Sequence, residues 1–281
     1  MTRKASASAK LRYAAALYKK LRELMRLHHH CYTEYCMIKK LPMPEDDRKK
    51  MLSYFRPEKP AVWDKKETLW LDGYNIEDVM RQYEEAEPHF EFIGPVPIDF
   101  DTPLGGSKKM VGGVKEFAAA ASAGETVPWD KCVVTELCKL DLDKMIAEGK
   151  RKIGIIFNLD PHDRPGSHWV CAFIDIDRKA GYYFDSYGFA PQREIKVFMA
   201  RLKNQGITHL YYNDIRHQKK GSECGMYCLF CIICLLRGRE FFDICSHVVD
   251  DDTMNSFRDI LFAEETPRRE AIETGLKKLC T

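Results

Sequence analysis

The sequence lacks an apolar run long enough to cross a lipid bilayer. Its longest uncharged apolar stretch, Cys224 to Leu236, has 13 residues, whereas a membrane-spanning helix needs roughly 20. The first residues also lack the continuous apolar segment of a secretory signal peptide, and no internal repeat is visible. We therefore expect a globular protein that is neither embedded in a membrane nor secreted.

The sequence also has little net charge, only +2, but this charge is unevenly distributed. Residues 1–50 contain 13 Lys and Arg against 5 Asp and Glu, so the remaining 231 residues are mildly acidic. Leucines at helical spacing over residues 8–28 predict a basic amphipathic helix. Such a helix either packs on its own domain or binds an anionic partner such as nucleic acid, a membrane surface or an acidic protein.

Cysteine is abundant, at 11 residues. An odd number without a secretory signal argues against a disulfide framework and favours reduced thiols. Cys228, Cys231 and Cys234 recur at helical spacing inside the apolar run, which is typical of packing residues. His28–His30 with Cys31 and Cys36 could bind a metal, but a second ordered pair of ligands is missing. We predict neither a metal site nor a cofactor.

Prolines at positions 57 and 60 indicate a linker that separates a basic helical arm, residues 1–62, from a core, residues 63–281. The core begins with a predicted helix over Tyr74–Ala86, and a Gly-, Ala- and Ser-rich loop follows at residues 104–127, with a short helix around 114–122. The second half is mixed α/β. Its predicted strands are Lys152–Leu159, Trp169–Ile176, Gly181–Asp185 and Thr208–Tyr212, and its predicted helices are Arg193–Asn204 and Cys224–Leu236.

Cys224 has the position of an activated nucleophile. It follows Gly221-Ser222-Glu223 and opens the apolar helix, so it lies at a helix N-terminus. The helix macrodipole and free N–H groups there favour a negative sulfur. Gly225 beside it would leave room for a substrate backbone.

His168 has the position of a general base. It begins the strand that follows Pro165-Gly166-Ser167, and the next strand returns to Asp185. Because an antiparallel hairpin of this size brings the two residues together, Asp185 can accept a bond from His168 Nδ1, which leaves Nε2 for the thiol. Four other histidines have no carboxylate brought back by a hairpin. They are His162, His209, His217 and His247.

Gln218 supplies the remaining group that acyl transfer requires. It lies six residues before Cys224, and its side-chain amide can donate to an oxygen that becomes negative. The backbone N–H of Cys224 would be the second donor.

Together these residues resemble a known family. The strings Gly-Ser-His168-Trp-Val, Tyr-Phe-Asp185-Ser-Tyr-Gly, Gln218 and Ser-Glu-Cys224-Gly are similar to the ubiquitin-like-protein (SUMO) proteases and adenain. The closer likeness is to the polyprotein-processing proteases of large cytoplasmic DNA viruses, of the African swine fever virus type. The resemblance implies an α+β fold with a papain-like or adenain-like core, in which helices flank a central mixed sheet beside an N-terminal helical arm.

The resemblance also implies a substrate. In SUMO proteases, tryptophans at the positions of Trp70 and Trp169 line a narrow slot for a Gly-Gly tail. Asn158 is a candidate substrate contact, or else a supporting or structural residue at the end of its strand. The expected activity is a cysteine endopeptidase that cleaves viral structural polyproteins after Gly-Gly, in the host cytoplasm and virion. Three alternatives stay open. They are an isopeptidase for ubiquitin or a ubiquitin-like modifier, an acetyltransferase on the same fold, and a non-catalytic structural protein.

Overall fold

The computed structural model describes residues 20–21, 23–24, 34–52, 55–66, 68–102 and 132–263. The predicted loop at 104–127 lies outside these residues, and so does the predicted helix at 8–28 apart from Lys20, Leu21, Glu23 and Leu24, which are helical. Within the described residues, no helix is long and apolar enough to cross a membrane.

The described part of the chain divides into two compact units. The first combines residues up to Lys66 with residues 256–263, and the second comprises residues 68–255. In the first unit, Leu21 packs in a buried cluster with Met37 and Ile38, and Trp63 meets Phe262 edge to face at a centroid distance of 4.9 Å. The predicted boundary between residues 62 and 63 stays a prediction.

The helices and strands are numbered here in chain order. The helices are α1 (Glu34–Lys40), α2 (Glu45–Leu52), α3 (Gly73–Ala86), α4 (Thr135–Cys138), α5 (Leu142–Ala147), α6 (Arg193–Lys203), α7 (Cys224–Leu236), α8 (Phe241–Ser246), α9 (Asp251–Ser256) and α10 (Arg258–Leu261), with a 3₁₀ turn at Ala61–Asp64. The strands are β1 (Phe90–Pro97), β2 (Lys152–Asn158), β3 (Trp169–Asp175), β4 (Ala180–Phe184) and β5 (His209–Tyr212).

The five strands form one mixed sheet in the order β1-β2-β3-β4-β5. β3 is antiparallel to both β2 and β4, whereas β1 runs parallel to β2 and β5 runs parallel to β4. The start of β3 and the ends of β4 and β5 therefore share one edge of the sheet. This edge holds the loops that carry the predicted site.

Apolar side chains cover both faces of the central strands. On one face, Val170 and Ala172 of β3 belong to the same buried cluster as Phe198 of α6. On the other face, β2 comes so close to α7 that a methyl group on Gly154 would lie 3.2 Å from Ile232 Cγ2. A helix this closely packed can be apolar on all sides, and the described structure confirms the predicted α+β class with helices flanking a mixed sheet.

The expectation of reduced thiols throughout is wrong. Cys132 and Cys138 form a disulfide with a Cα–Cα distance of 6.7 Å, and Cys36 is also disulfide-bonded. The predicted nucleophile Cys224 is a free thiol, and so are Cys228, Cys231 and Cys234, which recur along the same helix.

Candidate active site

His168 and Asp185 meet at the shared edge of the sheet, as the hairpin prediction required. His168 precedes the first residue of β3, and Asp185 follows the last residue of β4. The carboxylate is 1% exposed, and its Oδ1 atom lies 2.8 Å from Nε2 of the imidazole. The same oxygen accepts the backbone N–H of Tyr187 at 2.8 Å, which fixes the carboxylate in place.

The predicted choice of ring nitrogen is wrong. Nε2 faces Asp185, not Nδ1, so Nδ1 is the nitrogen left for the thiol. The hairpin brings the two residues together, but strand pairing does not determine how the ring is turned about its own side-chain bonds. The Tyr187 ring contributes to this orientation, because it stacks on the imidazole at a centroid distance of 4.9 Å and an interplanar angle of 27°.

The surroundings of His168 favour its charged form. Burial by itself lowers the pKa of His168, but the hydrogen bonds to Asp185 and Cys224 and the negative charges of both groups raise this pKa from 6.5 to about 9. An imidazole with this pKa carries a proton at neutral pH. The imidazole is therefore hydrogen-bonded to both the Asp185 carboxylate and the Cys224 sulfur, in surroundings that favour its protonated form.

Cys224 is the first residue of α7, as predicted. Its side chain is 1% exposed, and its hydrogen bond with His168 connects it to Asp185. Gly225 also has a packing role, and its predicted role of leaving room for a substrate backbone stays a prediction. A methyl group on Gly225 would lie 3.1 Å from Leu71 Cβ and 3.3 Å from Trp169 Cδ1.

Gln218 lies in the loop that follows β5, at the same edge of the sheet. Its side chain is fully buried, and its Oε1 atom accepts the hydroxyl proton of Ser186 at 2.7 Å. Its Nε2 atom is buried without a hydrogen-bond partner among the described residues. An amide donor left free at such a site is available to an oxygen that the protein itself does not supply.

The two tryptophans differ in their surroundings. Trp169 is 8% exposed, and its indole N–H donates to the Leu71 carbonyl at 2.9 Å. Trp70 is 45% exposed. Because Leu71 directly follows Trp70, this hydrogen bond brings the backbone of residue 70 beside Trp169. A slot between the two indoles stays a prediction.

Asn158 helps to shape the loop that leads to His168. Its Oδ1 atom accepts backbone N–H groups from Asp160 at 2.9 Å and from Ser167 at 3.3 Å. Gly166 passes so close that a methyl group there would lie 2.4 Å from Asn158 Nδ2. The contacts given by the structure are thus structural, and the predicted contact with substrate stays a prediction.

Two of the competing histidines have surroundings unlike those of His168. His162 pairs with Asp99 at 2.6 Å, but the ring is exposed and lies in the loop before β3. His217 is buried, its Nε2 atom lies 3.0 Å from the Cys245 carbonyl, and burial lowers its pKa. Among the described residues, no cluster of three His, Cys, Asp or Glu side chains is arranged to hold a metal.

Sequence reasoning missed the supporting shell of the site. Asn213 is 1% exposed and donates to the backbone carbonyls of Asp185 at 2.9 Å and Ile215 at 2.8 Å, which ties the loop before Gln218 to the end of β4. Ser186 holds the Gln218 amide, and Tyr187 stacks on His168. The only signal for the last two was their place directly after Asp185.

The comparisons with known proteins support a cysteine protease. Residues 144–270 match the Ulp1 protease family, C-terminal catalytic domain. Residues 144–270 are therefore similar to the catalytic domain of the Ulp1 proteases, as the motifs around His168, Asp185 and Cys224 implied.

Particular viral proteins are similar to this chain. A protein named as a thiol protease of Acanthamoeba polyphaga mimivirus is 33% identical over 217 residues, which cover 75% of this chain and 61% of that protein. A cysteine protease of African swine fever virus, isolate Tick/Malawi/Lil 20-1/1983, is 34% identical over 117 residues, 39% of this chain and 43% of that protein. In sequence, the chain thus spans less than two thirds of each of these relatives.

A solved structure shows the same fold. The crystal structure of the African swine fever virus protease matches 90% of this chain and 90% of its own, with a TM-score of 0.58 at 20% sequence identity. The match extends the common fold well beyond residues 144–270, and it confirms the expected protease fold.

Proposed function

We propose that this chain is a cysteine endopeptidase that cleaves structural polyproteins of a virus after Gly-Gly during virion maturation. The observation that carries the proposal is the continuous chain from Cys224 through His168 to the buried Asp185 carboxylate. A nucleophile, a proton carrier and an orienting carboxylate in this order are what peptide-bond hydrolysis through a thioester requires.

Acylation follows from the protonation state of the histidine. The attacking form of a cysteine is its thiolate, so in the proposed reaction the Cys224 thiolate adds to the scissile carbonyl carbon beside protonated His168, whose pKa is raised to about 9. The carbonyl oxygen becomes negative while the carbon–sulfur bond forms. His168 then gives its proton to the amine of the leaving peptide, and the C–N bond breaks to leave a thioester on Cys224.

The developing oxyanion needs donors that are in place before the reaction. Gln218 Nε2 is a buried donor without a partner among the described residues, and the backbone N–H of Cys224, at the start of α7, has no acceptor within the helix. Removal of one such donor typically lowers kcat by about 10²- to 10³-fold. In deacylation, neutral His168 takes a proton from water, and the hydroxide adds to the thioester and releases the acid and the thiol.

The Gly-Gly preference rests on the two tryptophans. Trp169 is fixed by its hydrogen bond to Leu71, so its ring cannot move aside for a larger side chain. If Trp70 faces it, glycine alone fits between the indoles, because close packing leaves no room for an added methyl group. A peptide series tests this point, with Gly-Gly-X compared against Ala-Gly-X and Gly-Ala-X in kcat/KM. Comparable rates for all three would exclude the slot.

The test of the activity itself compares the wild type with Cys224→Ala and His168→Ala on Gly-Gly-X peptides and on the structural polyprotein of the source virus. We expect cleavage by the wild type alone, since the loss of a triad member lowers the rate by several orders of magnitude. Far-UV circular dichroism confirms that the variants are folded. Cleavage by folded Cys224→Ala at the wild-type rate would refute the proposal.

A second candidate activity is removal of ubiquitin or a ubiquitin-like modifier. The names of the relatives favour it, because the matched family is that of Ulp1 and several African swine fever virus relatives are named SUMO-1 cysteine proteases. Incubation with a modifier joined to a lysine side chain distinguishes the two activities. Hydrolysis of that isopeptide bond at a rate well above that of the polyprotein would favour the second candidate.

We further propose that the basic arm, residues 1–62, binds an anionic partner such as nucleic acid and so places the enzyme in the viral factory and the virion. The excess of Lys and Arg in residues 1–50 supports this role. Deletion of residues 1–62 should abolish salt-sensitive binding to a DNA duplex and leave peptide cleavage unchanged. Unaltered DNA binding by the shortened chain would contradict it.

A further inference from the structure

We infer that Ser186 is a positioning residue that holds the Gln218 amide with its N–H donors directed toward the reacting oxygen, an inference that rests on the proposed protease function. Ser186 and Gln218 are 1% and 0% exposed, and the Ser186 hydroxyl donates to Gln218 Oε1 at 2.7 Å. This bond occupies the amide oxygen. It leaves Nε2, the atom without a partner among the described residues, at the other end of the amide plane.

The orientation of the amide decides its chemical effect. With Oε1 on Ser186, Nε2 can donate to the oxyanion. With the amide turned by half a rotation, Oε1 would face the oxyanion and repel it, while Nε2 would donate to the serine oxygen. A hydroxyl can serve either orientation as donor or acceptor. With Ser186 in place, the amide of Gln218 can bond at both ends once the oxyanion forms, with Oε1 accepting from the serine and Nε2 donating to the oxyanion. An apolar residue at position 186 would leave Oε1 buried without a donor.

The backbone keeps the serine and the glutamine at a fixed distance. The Ser186 carbonyl accepts the N–H groups of His217 and Gln218, each at 2.8 Å. Asn213 joins the same loop to the neighbouring carbonyl of Asp185. With its side-chain bond, residue 186 thus makes three hydrogen bonds to residues 217 and 218, two of which do not depend on the hydroxyl. Loss of the hydroxyl alone should free the amide without releasing the loop.

A double-mutant cycle tests the inference. For Ser186→Ala we expect kcat on a Gly-Gly-X peptide to fall about 10- to 100-fold, with KM within about twofold of wild type, because a buried acceptor loses its donor. In a Gln218→Ala background, the same change should lower kcat less than about twofold, since no amide is left to orient. Ser186→Thr keeps the hydroxyl and should recover most of kcat. Ser246→Ala, which removes a hydroxyl from the exposed end of α8, is the control for a change outside the site.

A second readout does not depend on turnover. The side-chain amide protons of Gln218 can be followed by ¹⁵N NMR and assigned by their loss in Gln218→Ala. In the wild type we expect a resolved pair of signals that exchange slowly with water, and in Ser186→Ala a shifted pair that exchanges faster.

Equal losses of kcat from Ser186→Ala in both backgrounds, or unchanged Gln218 signals, would overturn the inference. If the wild type cleaves no Gly-Gly-X peptide, the proposed function fails. The NMR comparison then decides the inference by itself.

Discussion

The charge of Asp185 can be removed while its hydrogen bonds are kept, by the substitution Asp185→Asn. The new side chain still offers Oδ1 to His168 Nε2 and to the N–H of Tyr187, which lie at 2.8 Å from that atom in the wild type. The perturbation is therefore electrostatic. It tests whether the carboxylate keeps His168 protonated.

The expected size of the effect on activity follows from the pKa of His168. The pKa of His168 is raised from 6.5 to about 9, although burial alone would lower it. An opposite charge within about 4–6 Å typically shifts a pKa by roughly 1–3 units, so the substitution should lower the pKa of His168 to between about 6 and 8. With a pKa of about 7, roughly 10% of the imidazole is protonated at pH 8, against about 90% in the wild type. At pH 6, both proteins are almost fully protonated.

The assay is the pH dependence of kcat/KM on a Gly-Gly-X peptide from pH 5 to pH 10. A raised pKa means that the protonated form persists up to about pH 9, so wild-type activity should fall as the pH rises through about 9. In Asp185→Asn this alkaline limb should move down by roughly 1–3 units, and the ratio of wild-type to variant activity should grow by about tenfold between pH 6 and pH 8. The Cε1 proton of His168 reports the same pKa by NMR without turnover.

The control is Asp99→Asn, which removes a carboxylate from another histidine, the exposed His162 at 2.6 Å. It should leave the alkaline limb in place. An unchanged limb in folded Asp185→Asn, together with an unchanged titration of His168, would refute the assignment of Asp185 as the group that keeps the imidazole charged.

Three further predictions concern packing and reactivity. Gly225→Ala should lower the free energy of unfolding by about 1–3 kcal/mol, because its methyl group would lie 3.1 Å from Leu71 Cβ. Gly221→Ala is the control, since a methyl group there has no atom within 4 Å, and equal thermal midpoints for the two variants would contradict the prediction. Asn213→Ala should cost about 1–3 kcal/mol in urea unfolding, since the backbone carbonyls of Asp185 and Ile215 lose a donor. A midpoint like that of Lys203→Ala, a change at the exposed end of α6, would be evidence against it. Brief iodoacetamide treatment should label Cys224 before Cys171 and Cys231, whose pKa values burial raises, and mass mapping of the peptides measures this order. If all three cysteines are labelled at one rate, Cys224 is not a selectively activated thiol.

Much of the second half of the fold could be predicted from apolar runs bounded by turn residues. The predicted strands at 152–159, 169–176 and 181–185 occur as β2, β3 and β4 within one or two residues, and the helix Cys224–Leu236 occurs as predicted. β1 was missed because Gly94, Pro95 and Pro97 look like a break in structure. Proline is tolerated there because, among the described strands, β1 lies at the edge of the sheet and pairs with β2 alone.

The site was predictable in its residues but not in its finer geometry. The predicted hairpin puts His168 near Asp185, and the predicted helix puts Cys224 at its N-terminus. Both positions follow from the bounds of strands and helices, which the sequence pattern indicates. The ring nitrogen that faces Asp185 depends instead on side-chain rotation and on the stacked Tyr187, which no sequence pattern specifies. The disulfide between Cys132 and Cys138 was missed for a similar reason, since a count of cysteines does not locate pairs in space.

The end of β4 connects the two halves of the proposed chemistry. The chain turns directly after Asp185, and the N–H of Gly188 closes this turn by donating to the Asp185 carbonyl at 2.8 Å. Asp185 turns to His168, while the next residue, Ser186, turns to Gln218. The group that sets the charge of the base and the group that orients the oxyanion donor thus sit on adjacent residues. A shift of this short segment would displace Asp185 and Ser186 together, so a change in its backbone should impair proton transfer and oxyanion stabilisation in parallel. A change in one side chain alone should impair only one of the two.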